Sequence, residues 1–142
     1  MCALRGEPIT GVEFFNLLDA DDGFCAELGR TVLAAGRLES ALKRHLAANA
    51  LGEDTAKATL GSLIDNCRRN SLLTRRIPAL ETLLKQRNYL VHNIHALLSD
   101  LIEQTILERA DLLDSDIVTY TERAWELRNN LNDLAELVEN RR

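Results

Sequence analysis

The 142-residue sequence is poor both in residues that interrupt helices and in residues that favour strands. It contains two prolines, and aromatic residues make up 4% of the chain, whereas Leu, Ala, Glu and Arg are abundant. Because proline breaks helices and aromatic side chains favour strands, this scarcity favours helix. The composition, 46% hydrophobic and 27% charged, is typical of a globular chain. We therefore expect an all-α protein with a single domain over residues 1–142.

Further absences limit the class of protein. No stretch approaches the roughly 20 uninterrupted apolar residues of a membrane-spanning helix, and residues 1–10 lack the apolar core of a signal peptide. The three cysteines, Cys2, Cys25 and Cys67, are odd in number and have no spacing typical of zinc ligands. The sequence also has no Gly-rich phosphate loop and no nucleophile elbow. We expect a cytoplasmic, soluble protein with reduced cysteines, no cofactor, no metal and no membrane contact.

Positive charge is scarce overall but concentrated in one segment. The formal net charge is −5, which argues against general coating of duplex DNA. Residues 68–99, however, carry six Lys or Arg against Glu81 alone, whereas residues 100–142 carry five against eleven Asp or Glu. An anionic ligand is therefore expected to meet the chain within residues 68–99.

Apolar periodicity predicts an up-and-down bundle of four to five helices. A short helix is expected over about 11–19, and a long one from Asp21 or Asp22 to about Gly52. A third helix is expected over about 55–69, with Leu60, Leu63, Ile64 and Cys67 facing inward, and a loop is expected to start at Asn70. Pro78 suits the first turn of a fourth helix, and the acidic cluster Asp114–Asp116 suits the cap of the last. The apolar seam of that last helix is expected to run through Ile117, Tyr120, Ala124, Leu127, Leu131, Leu134 and Val138.

Two charged residues interrupt these apolar stripes. Glu39 lies between Ala35 and Leu42 on the stripe predicted for the second helix, which also includes Phe24, Leu28, Val32 and Leu46. Arg87 lies between leucines on the stripe of the fourth helix. Because a lone buried charge is costly, we expect a Glu39–Arg87 ion pair, which is either a structural lock or part of a functional site.

The segment Arg87 to His92 contains the chemically most distinctive residues. Asn88 and His92 are four residues apart and share a helix face, which His95 and Ser99 continue. Histidine can accept or donate a proton near neutral pH, and arginine can bind a phosphate or its transition state. In RNA the 2′-hydroxyl is an internal nucleophile, so cleavage needs no metal. The alternative is an ordinary helix histidine whose ring is satisfied by a neighbour.

Four arginines flank the loop that precedes this helix. Arg68-Arg69 and Arg75-Arg76 could guide the phosphates of an RNA towards the motif, or they could belong to a solvated charged loop. A metal held by His92 and His95 is the weaker interpretation, because no Cys or carboxylate lies near in sequence.

The run Arg87-Asn88-x-x-x-His92, late in a helix after a leucine stripe, resembles the motif of HEPN domains. The helical pattern over 142 residues is similar to the family's bundle, and residues 36–42 resemble part of its long second helix. The resemblance implies a metal-independent endoribonuclease that works as a homodimer in toxin–antitoxin or antiphage systems, with an antitoxin or regulatory protein as a possible partner. It implies that Arg87 and His92 are catalytic, with Asn88 supporting, and we add Glu39 and His95 as supporting residues. Some family members are not catalytic, so a helical interaction or regulatory module is the alternative.

Overall fold

The structure, a computed structural model, describes residues 8–9, 11–49, 51, 58–96, 107–108 and 117–140. It contains five helices in this part of the chain. They are α1 (Gly11–Ala20), α2 (Asp22–Ala48), α3 (Leu60–Arg69), α4 (Ile77–Ala96) and α5 (Ile117–Glu139). Two strands of two residues each, β1 (Pro8–Ile9) and β2 (Leu107–Glu108), pair antiparallel. The all-α prediction and the expected number of helices are confirmed, and the short pairing is too small to change the fold class.

The chain divides into two compact units. Unit 1 comprises Met1–Gly29 and Asn88–Glu126, and unit 2 comprises Arg30–Arg87 and Leu127–Arg142. The division falls inside α2, α4 and α5, so each of these helices contributes residues to both units. The expectation of one domain over residues 1–142 stays a prediction.

Aromatic and leucine side chains form the core of unit 1. Phe14 and Leu18 of α1 are buried together with Phe24 of α2. The ring of Tyr120 on α5 meets Phe14 edge-on, with the ring centroids 5.5 Å apart. At the start of α2, the Phe24 amide donates a hydrogen bond of 2.7 Å to Asp21 Oδ1. Asp21 is therefore the N-cap, which decides between the two residues that the sequence left open, Asp21 and Asp22.

The core of unit 2 is built from the inward faces of four helical segments. The buried residues of α3 are the predicted Leu60, Leu63, Ile64 and Cys67. Helix α5 contributes Leu127, Leu131, Leu134 and Val138, again as predicted, together with Ala135. Burial raises the pKa of the Cys67 thiol, which packs as a small apolar side chain.

Helix α3 begins later than the sequence suggests. Thr59 has an extended backbone, and its hydroxyl oxygen accepts a hydrogen bond of 3.2 Å from the Ser62 amide. This N-cap starts the helix at Leu60, so the predicted start near residue 55 is wrong. Gly52, Ser99 and the predicted cap Asp114–Asp116 lie outside the described residues.

The turn between α3 and α4 is held by backbone hydrogen bonds. The Leu72 amide donates to the carbonyl of Cys67 at 2.8 Å, which closes the end of α3. Ser71 and Leu73 have positive φ angles of 56° and 53°. Leu73 is nonetheless buried, so its side chain anchors the turn to the core of unit 2. Pro78 follows in the first turn of α4, as predicted.

The apolar stripe of α2 differs from the predicted one. Leu38 is fully buried, and Thr31 is buried as well, whereas Val32 is 64% exposed. The helix is rich in alanine, and alanines near the stripe let more than one set of spacings look apolar. The inward face passes through Thr31 and Leu38, so Val32 was wrongly assigned to it.

Candidate functional site

Arg87 lies on the inward stripe of α4, as the sequence predicts. Its neighbours on that stripe, Leu83 and Leu90, are buried. The arginine itself is half-buried, and its Nε atom is buried without a hydrogen-bond partner. An N–H group removed from water without a partner lowers stability, and such a group often marks a functional site. The guanidinium group is therefore the anomalous feature of this helix.

Asn88 and His92 lie on the opposite, solvent-facing side of α4. Both residues are exposed, and neither forms a hydrogen bond or ion pair with the residues that the structure describes. Their four-residue spacing keeps them on one helix face. The imidazole is thus accessible to a ligand. His95 lies in the last turn of α4, but its side chain is outside the described part of the chain.

The motif residues do not all share a face of α4. Arg87 and His92 are five residues apart, which is about 140° around a regular α-helix. Consistent with that angle, Arg87 lies on the stripe of buried leucines and His92 is exposed. One copy of this helix therefore does not direct both side chains at the same point.

The predicted Glu39–Arg87 ion pair is not formed. None of the ion pairs among the described residues joins these two side chains. The reason is the register of α2, because its inward position is taken by Leu38 and Glu39 lies half-buried beside it. A half-buried carboxylate keeps contact with water, so it does not need the partner that full burial demands.

The four arginines around the α3–α4 turn separate into two kinds. Arg68 and Arg69 both donate to the carboxylate of Asp65, and Arg68 also lies 3.7 Å from Glu81. The hydrogen bond from Arg68, reinforced by the charge of both arginines, holds the pKa of Asp65 below its ordinary value. These two cations are already partly neutralised by carboxylates.

Arg75 and Arg76 belong to the second kind. Arg75 is exposed, and it forms no ion pair with the residues that the structure describes. Arg76 is half-buried, and its Nε atom is buried without a partner, like that of Arg87. Of the four arginines predicted to bind RNA, these two retain the most capacity for an anion.

An ion-pair cluster that the sequence analysis missed joins α2 to α5 in unit 2. Arg37 donates to both carboxylate oxygens of Glu139, at 3.1 and 2.7 Å, and Arg44 lies 3.6 Å from the same carboxylate. The Arg37 hydrogen bonds hold the pKa of Glu139 below its ordinary value. The partners are about a hundred residues apart in sequence, so no local spacing could have revealed them.

Two clefts open on unit 2, each between a pair of helices. One of about 390 Å³ lies beside the ion-pair cluster and is lined by Ala41, Arg44, His45, Ala48, Val138, Glu139 and Asn140. The other, of about 420 Å³, is mainly apolar and is lined by Pro78, Ala79, Thr82, Leu83, Gln86, Asn130, Asp133, Leu134 and Leu137. Neither cleft is lined by a residue of the Arg87–His92 motif.

Several general features bear on the class of protein. Within the described ranges, no three His, Cys, Asp or Glu residues are arranged to hold a metal ion. No helix in the same ranges combines the length and apolarity needed to cross a membrane. Comparisons with protein-family profiles, curated proteins and solved structures each find no match. The residues of α4 and their surroundings therefore provide the basis for a proposed function.

Proposed function

We propose that this chain is a metal-independent endoribonuclease of the HEPN type, acting as a cytoplasmic homodimer in a toxin–antitoxin or antiphage system. The observation that carries the proposal is an exposed histidine on α4 that follows, five residues later in the sequence, an arginine with an unpartnered, buried Nε. A second observation supports an anionic substrate. The described stretch from Thr82 to Ala96 contains Lys85 and Arg87 but no carboxylate.

In the proposed reaction His92 acts as a general base towards RNA. The imidazole takes the proton of a 2′-hydroxyl, and the 2′-oxygen attacks the adjacent phosphorus. The bond from phosphorus to the 5′-oxygen breaks, and that oxygen takes up a proton, which leaves a 2′,3′-cyclic phosphate and a 5′-hydroxyl. A guanidinium stabilises the negative charge that accumulates on the phosphate oxygens.

The proposed homodimer accounts for the angular separation of Arg87 and His92 on α4. Since one copy directs Arg87 and His92 to different sides of the helix, the arginine that stabilises the phosphate is proposed to come from the second copy. Asn88, exposed on the same face as His92, is proposed to orient the imidazole or a phosphate oxygen.

The test is cleavage of labelled total RNA by purified protein in excess chelator. We expect His92→Ala to lower the cleavage rate by about 10²–10⁴-fold, the range for loss of a general base, with an unchanged melting temperature. His45→Ala is the matched control, since His45 lies on α2 in unit 2. Cleavage by His92→Ala at the wild-type rate would sink the assignment.

The second candidate is a non-catalytic helical interaction module. It is favoured by two exposed apolar side chains on α2, Val32 at 64% and Leu33 at 75% exposure, because exposed apolar residues often mark protein contacts. This candidate predicts no chelator-resistant cleavage by the wild-type protein and a change of oligomeric mass in Leu33→Glu. Light scattering after gel filtration measures the mass, and the cleavage assay separates this candidate from the nuclease.

A further inference from the structure

The sequence motif does not account for Tyr89, which lies between its arginine and its histidine. The Tyr89 side chain is 61% exposed, although tyrosine is a large side chain that usually packs at least one ring face against other residues. It makes no hydrogen bond and no ring contact with the residues that the structure describes. Burial within unit 1 therefore does not explain this ring.

The ring belongs to the same face as the proposed general base. Tyr89 precedes His92 by three residues, and Asn88 precedes it by four, so both are its neighbours on the surface of α4. Side chains at these spacings have Cβ atoms roughly 5–6 Å apart. All three residues are exposed members of unit 1, and they form a strip of one amide, one phenol and one imidazole. We call these residues the Asn88–His92 strip.

The charge around this strip suits a polyanion better than a protein surface of mixed charge. From Thr82 to Ala96 the sequence has no Asp or Glu, so no carboxylate on this part of α4 repels a phosphate. The strip itself contains no Asp, Glu, Lys or Arg. A nucleobase can stack with its flat face on such a surface, while cations elsewhere on the protein bind the phosphate of the same nucleotide.

We propose that Tyr89 is a base-stacking residue that binds an unpaired nucleobase of RNA beside the phosphate on which His92 acts. This inference depends on the proposed endoribonuclease function and gives it a substrate class, single-stranded RNA. An unpaired base exposes both ring faces, whereas a base in a duplex is already stacked on its neighbours, so the ring discriminates against duplex RNA. The Asn88 amide can both donate and accept at the edge of the stacked base.

The primary test measures binding of a labelled 20-nucleotide single-stranded RNA carrying 2′-O-methyl at every position, which removes the nucleophile. We expect Tyr89→Ala to weaken binding by about 5- to 150-fold, the range for loss of one aromatic–base stack. Tyr89→Phe keeps the ring and should bind within about twofold of wild type. Trp125→Ala is the matched control, because Trp125 is an exposed aromatic residue of unit 1 on a different helix, α5.

A second measurement locates the stack on the RNA. Single abasic sites are placed in turn along the same oligonucleotide. At one position the missing base should weaken binding to wild type and have no further effect on Tyr89→Ala, because both changes remove the same contact. Additive losses at every position would contradict stacking on Tyr89. The single-strand preference of wild type should also shrink in Tyr89→Ala when the matching duplex is the competitor.

The possible outcomes separate this inference from the proposed function. Equal affinities of wild type and Tyr89→Ala, at any absolute value, overturn the stacking role, and chelator-resistant cleavage by the same preparations decides whether the nuclease survives. If Tyr89→Phe binds as poorly as Tyr89→Ala, the hydroxyl and not the ring is used, and stacking is refuted. If Tyr89→Ala changes the oligomeric mass and leaves RNA binding intact, Tyr89 belongs to a protein contact and the proposal is also overturned.

Discussion

Arg37 on α2 and Arg87 on α4 are both arginines of unit 2, but their surroundings differ. Arg37 is exposed and donates two hydrogen bonds to Glu139 on α5. Arg87 is more buried, yet its Nε has no partner, and no ion pair joins it to the described residues. Stability alone favours a partner for the more buried charge. Here the exposed Arg37 has the partner, and the more buried Arg87 has none among the described residues.

The difference separates a cation that stabilises the fold from one that does not. The contacts of Arg37 join two helices, whereas the buried Nε of Arg87 gains nothing from its neighbours. Local arrangements that lower stability are concentrated at functional sites. The unpartnered Nε of Arg87 thus supports a role towards a ligand and not in stabilising the fold.

The largest expected effect tests the register of α2. Leu38 is fully buried and Glu39 is half-buried beside it. Leu38→Ala should lower the free energy of unfolding by about 2–5 kcal/mol, as for other buried leucines. Glu39→Ala, the matched control, should change it by less than about 0.5 kcal/mol. Urea unfolding followed by circular dichroism measures both, and a larger loss for Glu39→Ala would restore the predicted structural lock.

Next in size is the replacement of Arg87 by an apolar side chain of similar length. Arg87→Met removes the unpartnered Nε and keeps the packing of the stem. We expect the free energy of unfolding to rise by about 1 kcal/mol, because a buried, unsatisfied donor is lost. RNA cleavage should fall in the same variant. Urea unfolding and the cleavage assay are run together, and a destabilised protein would indicate a structural role for Arg87.

A smaller effect is expected on the salt dependence of RNA binding when the unpaired Arg75 and the paired Arg69 are replaced in turn. Arg75 is free of ion pairs within the described chain, whereas Arg69 donates to Asp65 at 3.0 Å. Arg75→Ala should therefore reduce the slope of log affinity against log salt concentration by about 1, the value for one lost phosphate contact. Arg69→Ala should change the slope less. Equal slopes in all three proteins, measured by fluorescence anisotropy, would exclude this route for the RNA.

The smallest effect concerns the pH dependence of the Arg37–Glu139 pair. Because the pKa of Glu139 is lowered in the folded protein, its contribution to stability is present above its ordinary value of 4.5 and is lost as the pH falls further. Arg37→Ala should melt below wild type near neutral pH, and the difference should shrink below about pH 4.5. The effect is small because the pair is exposed to solvent.

Thermal melts between neutral pH and pH 3 measure this difference. Asp133→Asn provides the control, since Asp133 is an exposed carboxylate of the same helix, α5. A melting difference between Arg37→Ala and wild type that stays constant down to the lowest pH would show that the ion pair is not its source.

Sequence reasoning succeeded where one helix carries a single clear apolar stripe. The seam of α5 through Leu127, Leu131 and Leu134 and the inward face of α3 were both predicted, because their spacing leaves one possible rotation. In α2 the spacing of apolar residues is compatible with several rotations of the helix, so the burial of Leu38 was not predicted. The β1–β2 pairing was not predicted, because it joins residues about a hundred positions apart.

Prediction of the candidate site was divided in the same way. The inward position of Arg87 follows from the leucine spacing of α4, and that placement is confirmed. The prediction of a Glu39–Arg87 ion pair was wrong, because it depended on the rotations of both α2 and α4 about their axes. The exposure of Tyr89 follows from its position on α4, two residues after the inward Arg87. It was not predicted, because the motif consists of Arg87, Asn88 and His92 and gives Tyr89 no role.

The turn between α3 and α4 fixes the backbone that leads to Arg75 and Arg76. Leu73 holds a left-handed backbone, which is unfavourable for a leucine, and its side chain is nevertheless anchored in the core of unit 2. Arg75 and Arg76 follow two and three residues later, so the backbone that carries them is fixed by the packing of Leu73. Because this backbone is already ordered, little backbone conformational entropy is lost when a ligand binds the two arginines.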